Sequence, residues 1–110
     1  MPHIRAHGVD KSTLEQVAAQ IVNKMAEVTD TPHDHFTFEC IGSDFLVLEG
    51  ASPAYPLIEI MWFDRGQEVK TVVAALIDDL LRPRIEDGLD ITVIFRDLRG
   101  PDYYENKAHF

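Results

Sequence analysis

The sequence predicts an α+β fold in which duplicated β-α-β units form a mixed four- to five-stranded sheet with two helices on one face. Three observations carry this. Apolar residues recur at helical spacing in two stretches, strand-like alternation flanks each stretch, and the arrangement repeats at a separation of 55 residues. The 110 residues form a single domain, with internal halves of about 2–50 and 55–110.

The first element is a strand over His3–Val9. Proline has no N–H for a sheet and is tolerated at a strand's first position, which accounts for Pro2. A second reading has Met1 removed, leaving Pro2 with a free secondary amine. Leu14, Val17, Ala18, Ile21, Val22 and Met25 then follow the spacing of a one-faced helix. Ser12 and Glu15 form a capping box at its start, and Thr31-Pro32 lies beyond its end. Phe36–Cys40 alternates as a strand, and Phe45–Glu49 is expected as an extra hairpin strand after the Gly42-Ser43-Asp44 turn.

The second half repeats the order. Leu57–Phe63 is a strand with Leu57, Ile58, Ile60, Met61, Trp62 and Phe63 on both parities, the pattern of burial on two faces. Val69, Val72, Val73, Leu76, Ile77 and Leu80 mark a helix closed by Arg82-Pro83, and Ile91, Thr92, Val93 and Phe95 mark the last strand. Two helices cover one sheet face, so another subunit is expected over the second, making a homo-oligomer.

Composition narrows the function classes. A hydrophobic content of 45% supports a packed globule. Formal charge is −9, with 19 acidic residues against ten basic, which repels nucleic acid. No apolar run has the length of a membrane span or the core of a signal peptide. The single cysteine, Cys40, fits a cytoplasmic location and is expected as buried filler. Nucleotide-binding glycine motifs and a serine-hydrolase elbow are absent from the sequence, and the pair His33 and His35 lacks further ligands at fixed spacing, so neither metal nor cofactor is expected.

The MPHIR start, the YPLIEIMWFDRGQ segment and the YYENKAHF tail resemble the tautomerase superfamily, whose long-chain branch includes macrophage migration inhibitory factor, and within it a bacterial branch of unsettled function. The resemblance covers nearly the whole chain. It implies a homotrimer that isomerises a small carboxylated enol or ketone without a cofactor, with amino-terminal Pro2 as general base. A non-catalytic trimeric binding protein is the alternative.

Pro2 needs its basicity lowered by burial or cations to act near neutral pH; Arg5 and Arg65 are candidate cations, and Ile4 and Trp62 could supply burial. Arg65 stands where strand turns into helix, which suits a carboxylate clamp, and resembles an arginine that begins this helix in oxalocrotonate-type tautomerases. The competing reading is a salt bridge to Asp64 or Glu68. Arg96 is an open candidate on the last strand, whereas Arg99 reads as solvated. Trp62, Phe63 and Tyr103 are core or pocket wall, and Tyr104, His109 and Phe110 complete an aromatic tail. Migration inhibitory factors carry a lysine before the proline that follows the first helix; here Thr31 occupies that position.

Overall fold

The computed structural model describes residues 2–50 and 53–110. Both helices expected from periodicity form: α1 is Lys11–Thr29 and α2 is Gln67–Leu81. They pack side by side across one sheet whose strands are β1 (His3–His7), β2 (Thr37–Ile41), β3 (Leu57–Trp62) and β4 (Thr92–Asp97). The strand order is β2-β1-β3-β4. β1 runs parallel to β2, β3 parallel to β4, and the two halves meet where β1 pairs antiparallel with β3.

Strand alternation decides which side chains meet the helices. Ile4 and Ala6 of β1 and Ile58, Ile60 and Trp62 of β3 are buried beneath the helices. The buried stripes Leu14, Val17, Ile21 and Met25 of α1 and Val73, Ile77 and Leu81 of α2 close the core. Burying an aliphatic side chain of this kind contributes about 1.5–3 kcal/mol.

The duplication lacks one constant offset. Val17, Ile21 and Met25 correspond to Val73, Ile77 and Leu81, one residue beyond the 55-residue spacing. Pro2, Ile4 and Ala6 correspond to Pro56, Ile58 and Ile60, one residue short of it. Connections of unequal length absorb the difference. Val72 consequently turns outward, 48% exposed, although its spacing suggested the buried face. Pro2 and Pro56 occupy matching places: each is fully buried, and their carbonyls accept bonds from the amides of Thr37 and Thr92 at 3.2 and 3.0 Å.

Four other expectations are corrected. The capping box does not form. Asp10 is the N-cap residue in extended conformation and Ser12 already lies inside the first turn, where its hydroxyl cannot cap. Phe45–Glu49 has no partner strand among the described residues; Phe45 packs edge-on against Tyr55 at 5.7 Å. β3 is not apolar on both faces, because Glu59 occupies the middle of its second face between half-buried Leu57 and Met61. Cys40 is exposed, since β2 is an edge strand that the helices cover only in part. A feature missed in the sequence is the C-terminal hairpin, β5 (Tyr104–Glu105) against β6 (Ala108–His109), which turns through Asn106 and Lys107 at positive φ.

Candidate functional site

The Pro2 end of the sheet gathers most of the expected site residues. Pro2 precedes β1, one step beyond the pairing of His3 with Met61, so the antiparallel register sets it opposite Trp62. Its side chain is fully buried. Met1 lies outside the described residues, and with it the question of a free amine. On the open face at this end lies a cavity of about 380 Å³, lined by His3, Thr37, Met61, Leu98 and Tyr103.

Aromatic packing builds one wall of that cavity. The Tyr103 ring meets Phe63 at 5.3 Å and Phe110 at 4.8 Å, and Phe63 stacks on Phe110 at 5.6 Å. The tail is fixed by its backbone: the Phe110 amide donates to the Tyr103 carbonyl at 3.1 Å, and the Phe110 carbonyl lies against Gly100, where a Cβ would come within 2.5 Å of it. Burial, reinforced by the negative charge of Glu105, pushes the Tyr103 phenol above its ordinary value, so it stays protonated at neutral pH.

Arg65 departs from the salt-bridge reading of the sequence. Among the described residues it pairs with no carboxylate. Asp64 instead accepts the Gly66 amide at 2.9 Å and faces Lys70 at 3.6 Å. The Arg65 guanidinium donates to the Phe63 carbonyl at 2.7 Å and to the Thr31 hydroxyl at 3.2 Å, and lies 5.3 Å from the centre of the Trp62 ring. Thr31 thus receives a cation from the other half of the chain, at the position where migration inhibitory factors carry a lysine. Burial lowers the guanidinium's pKa, yet it remains a cation at neutral pH. Two of its five N–H donors are engaged in these bonds, so further donors are available to an anion.

Trp62 is core rather than pocket wall. It is fully buried, its indole N–H donates to Asp97 at 3.0 Å, and its ring lies 4.8 Å from Phe95. Lys70 holds the second Asp97 oxygen at 2.7 Å; that bond lowers the Asp97 pKa and raises that of Lys70. Phe63 is half-buried and belongs to the aromatic wall.

Arg5 and Arg96 lie on the open sheet face, away from the buried Pro2 ring. Arg5 Nε is 3.5 Å from Glu39, and Arg96 Nε donates to Glu59 at 2.8 Å. His7 binds the other Glu59 oxygen at 2.8 Å, so Arg96 first and His7 second hold this carboxyl below the usual glutamate range. Arg99 pairs loosely with Asp102 at 3.5 Å. His33 and His35 are exposed on a short 3-10 turn.

His3 and Thr37 escaped the sequence reading. Their signal was available only in part: His3 shares the parity of Arg5 and follows Pro2 directly, but Thr37 joins it through a pairing 34 residues distant.

In sequence, the family model described as Domain of unknown function (DUF1904) matches residues 1–109. No curated protein matches the chain. A crystal structure of a DUF1904 domain from Sebaldella termitidis is 32% identical over the whole of both chains, with a TM-score of 0.90. A macrophage migration inhibitory factor-like protein from Entamoeba histolytica is 17% identical, covering 99% of this chain and 98% of that one, at a TM-score of 0.76. A fused 4-OT described as an asymmetric trimer is 11% identical over 97% and 94% of the two chains, at 0.78. The last two establish shared fold alone. Two β-α-β units, two helices on a mixed four-stranded sheet and a small terminal hairpin make a fold shared with the migration inhibitory factor-like and 4-OT structures, and the chain belongs to the DUF1904 family.

Proposed function

We propose that the chain is a cofactor-independent tautomerase that moves a proton within a small carboxylated enol or keto compound. Pro2, freed of Met1, is the general base, and Arg65 holds the substrate carboxylate. The observation that carries this reading is the pairing, at the same end of the sheet, of a fully buried Pro2 with a guanidinium that has no carboxylate partner among the described residues. Burial disfavours the charged form of an amine and so lowers its pKa toward the working pH, by about 1.4 kcal/mol per unit. A cavity lined by His3, Thr37, Met61, Leu98 and Tyr103 lies at the same end of the sheet, on its open face.

The working form is a cytoplasmic homotrimer. Leu46, Val47 and Leu48 are 74%, 59% and 85% exposed in a segment of strand-like sequence, and among the described residues β2 and β4 are edge strands with unpaired outer sides. A second copy can cover both. The trimeric description of the fused 4-OT neighbour agrees with that arrangement.

The experiment is intact mass followed by turnover of an enol pyruvate by wild type, Pro2→Ala and Arg65→Ala. Loss of Met1 with turnover abolished in Pro2→Ala supports the reading. Quantitative retention of Met1 in native material refutes it, because an acylated proline nitrogen has no basicity.

A second reading, a trimeric binding protein without turnover, has its own support. Pro56 occupies the counterpart of Pro2 as an internal tertiary amide, so proline serves this place as a buried strand start without any proton chemistry. Binding of a 2-keto acid without turnover in Met1-free protein selects this reading.

A further inference from the structure

We infer that Thr37, His3 and Glu39 form a proton relay at the cavity, with the Thr37 hydroxyl exchanging a proton with the substrate's carbonyl oxygen. The inference rests on the tautomerase reading and adds a second proton-transfer group to it.

The parallel register of β1 on β2 sets His3 beside Thr37 and Arg5 beside Glu39. The His3 ring is engaged at both nitrogens: Nδ1 lies 2.5 Å from the Thr37 hydroxyl oxygen and Nε2 lies 2.6 Å from Glu39 Oε1. An ionised carboxylate only accepts, so Nε2 carries a hydrogen. The state of Nδ1 is then the variable. When Nδ1 is protonated it donates to the Thr37 oxygen, and the hydroxyl hydrogen is free to turn toward the cavity. When Nδ1 is bare, the hydroxyl donates to it. A hydroxyl, an imidazole and a carboxylate in line can thus pass one proton in either direction.

Position favours use of this chain of bonds. His3 and Thr37 both line the 380 Å³ cavity, whose other walls are Met61, Leu98 and Tyr103. The Thr37 amide donates to the Pro2 carbonyl at 3.2 Å, which couples the relay to the proposed base through one backbone bond. The charged and titratable groups around His3 are Glu39 on β2, Arg5 on its own strand, and Tyr103 with neighbouring Glu105 across the cavity. Arg5 approaches the same Glu39 oxygen at 3.5 Å, so Arg5 is a positioning residue rather than a substrate ligand.

The step balances without a further reactant. In the keto-to-enol direction the Pro2 amine takes the proton from the carbon beside the carbonyl, and the C–H electron pair becomes the C=C bond. The carbonyl π pair moves to oxygen, which takes the Thr37 hydroxyl proton as Thr37 takes the Nδ1 proton of His3. In the reverse direction His3 begins neutral, accepts the enol proton through Thr37, and the Pro2 ammonium returns a proton to carbon.

Ketonisation of an enol pyruvate by Met1-free protein tests the inference. Thr37→Val keeps the side chain's shape and lowers kcat by about 10²–10⁴-fold with KM little changed, and His3→Gln lowers kcat in the same way. Turnover that needs Pro2 but keeps its kcat in both Thr37→Val and His3→Gln overturns the relay alone. A wild type without turnover overturns the tautomerase reading and the relay together.

Discussion

Arg65 ties the two halves together, and removing it tests that role quantitatively. Arg65→Ala deletes a charge-assisted bond of 2.7 Å to the Phe63 carbonyl, a longer one of 3.2 Å to the Thr31 hydroxyl, and the contact with the Trp62 ring. Charge-assisted bonds contribute about 1.5 kcal/mol each at the low end suited to a half-buried group, and a cation over an aromatic ring adds about 0.5–1 kcal/mol. Freed rotamer entropy offsets up to about 2 kcal/mol of this, which leaves a net loss of about 2 kcal/mol. For a domain of this size that is a fall in Tm of about 8–10 °C. Thr31→Val removes only the weaker bond and costs about 1 kcal/mol, and the double variant shows coupling of at least about 0.5 kcal/mol. The assay is urea unfolding followed by Trp62 fluorescence. An Arg65→Ala protein within about 0.5 kcal/mol of wild type, or strict additivity with Thr31→Val, refutes the strut and leaves Arg65 with anion binding alone.

Three further outcomes follow from the same structure. Because the folded Glu59 carboxyl lies below its ordinary value of 4.5, the unfolded chain binds more protons there; the associated stability is present above pH 4.5 and lost as pH falls through the folded value. Glu59→Gln therefore flattens the acid limb of the urea midpoint measured from about pH 3 to 6, and an unchanged limb refutes the assignment. Gly8→Ala abolishes folding or costs several kcal/mol, because Gly8 has φ +72° and a Cβ would lie 2.0 Å from the Tyr55 carbonyl oxygen; normal thermal unfolding of this variant contradicts that geometry. Leu48→Asp, at a side chain 85% exposed, leaves circular dichroism unchanged and shifts light-scattering mass toward the monomer, whereas an intact oligomer excludes this segment from the contact.

Local chemistry wrote much of the fold into the sequence. Helical periodicity located α1 and α2, alternation located β1 to β4, and the repeat paired them as two β-α-β units, because each signal depends on residues only a few positions apart. The helix registers were less legible: Val72 and Val73 are adjacent and equally apolar, and only packing against β3 and β4 decides which turns inward. Phe45–Glu49 carries a strand's sequence, but a strand needs a partner edge, and none of the described residues supplies one to it.

The sequence alone determined that a proline would begin the first strand and that an arginine would stand before the second helix. The tertiary structure decided the partners. Arg65 reaches Thr31 instead of Asp64 or Glu68, Arg5 and Arg96 are committed to Glu39 and Glu59, and His3 meets Thr37 and Glu39. Each of these contacts joins residues more than 30 positions apart across a strand pairing or a helix end, and hydrogen bonds act over about 3 Å of space, whatever the separation along the chain.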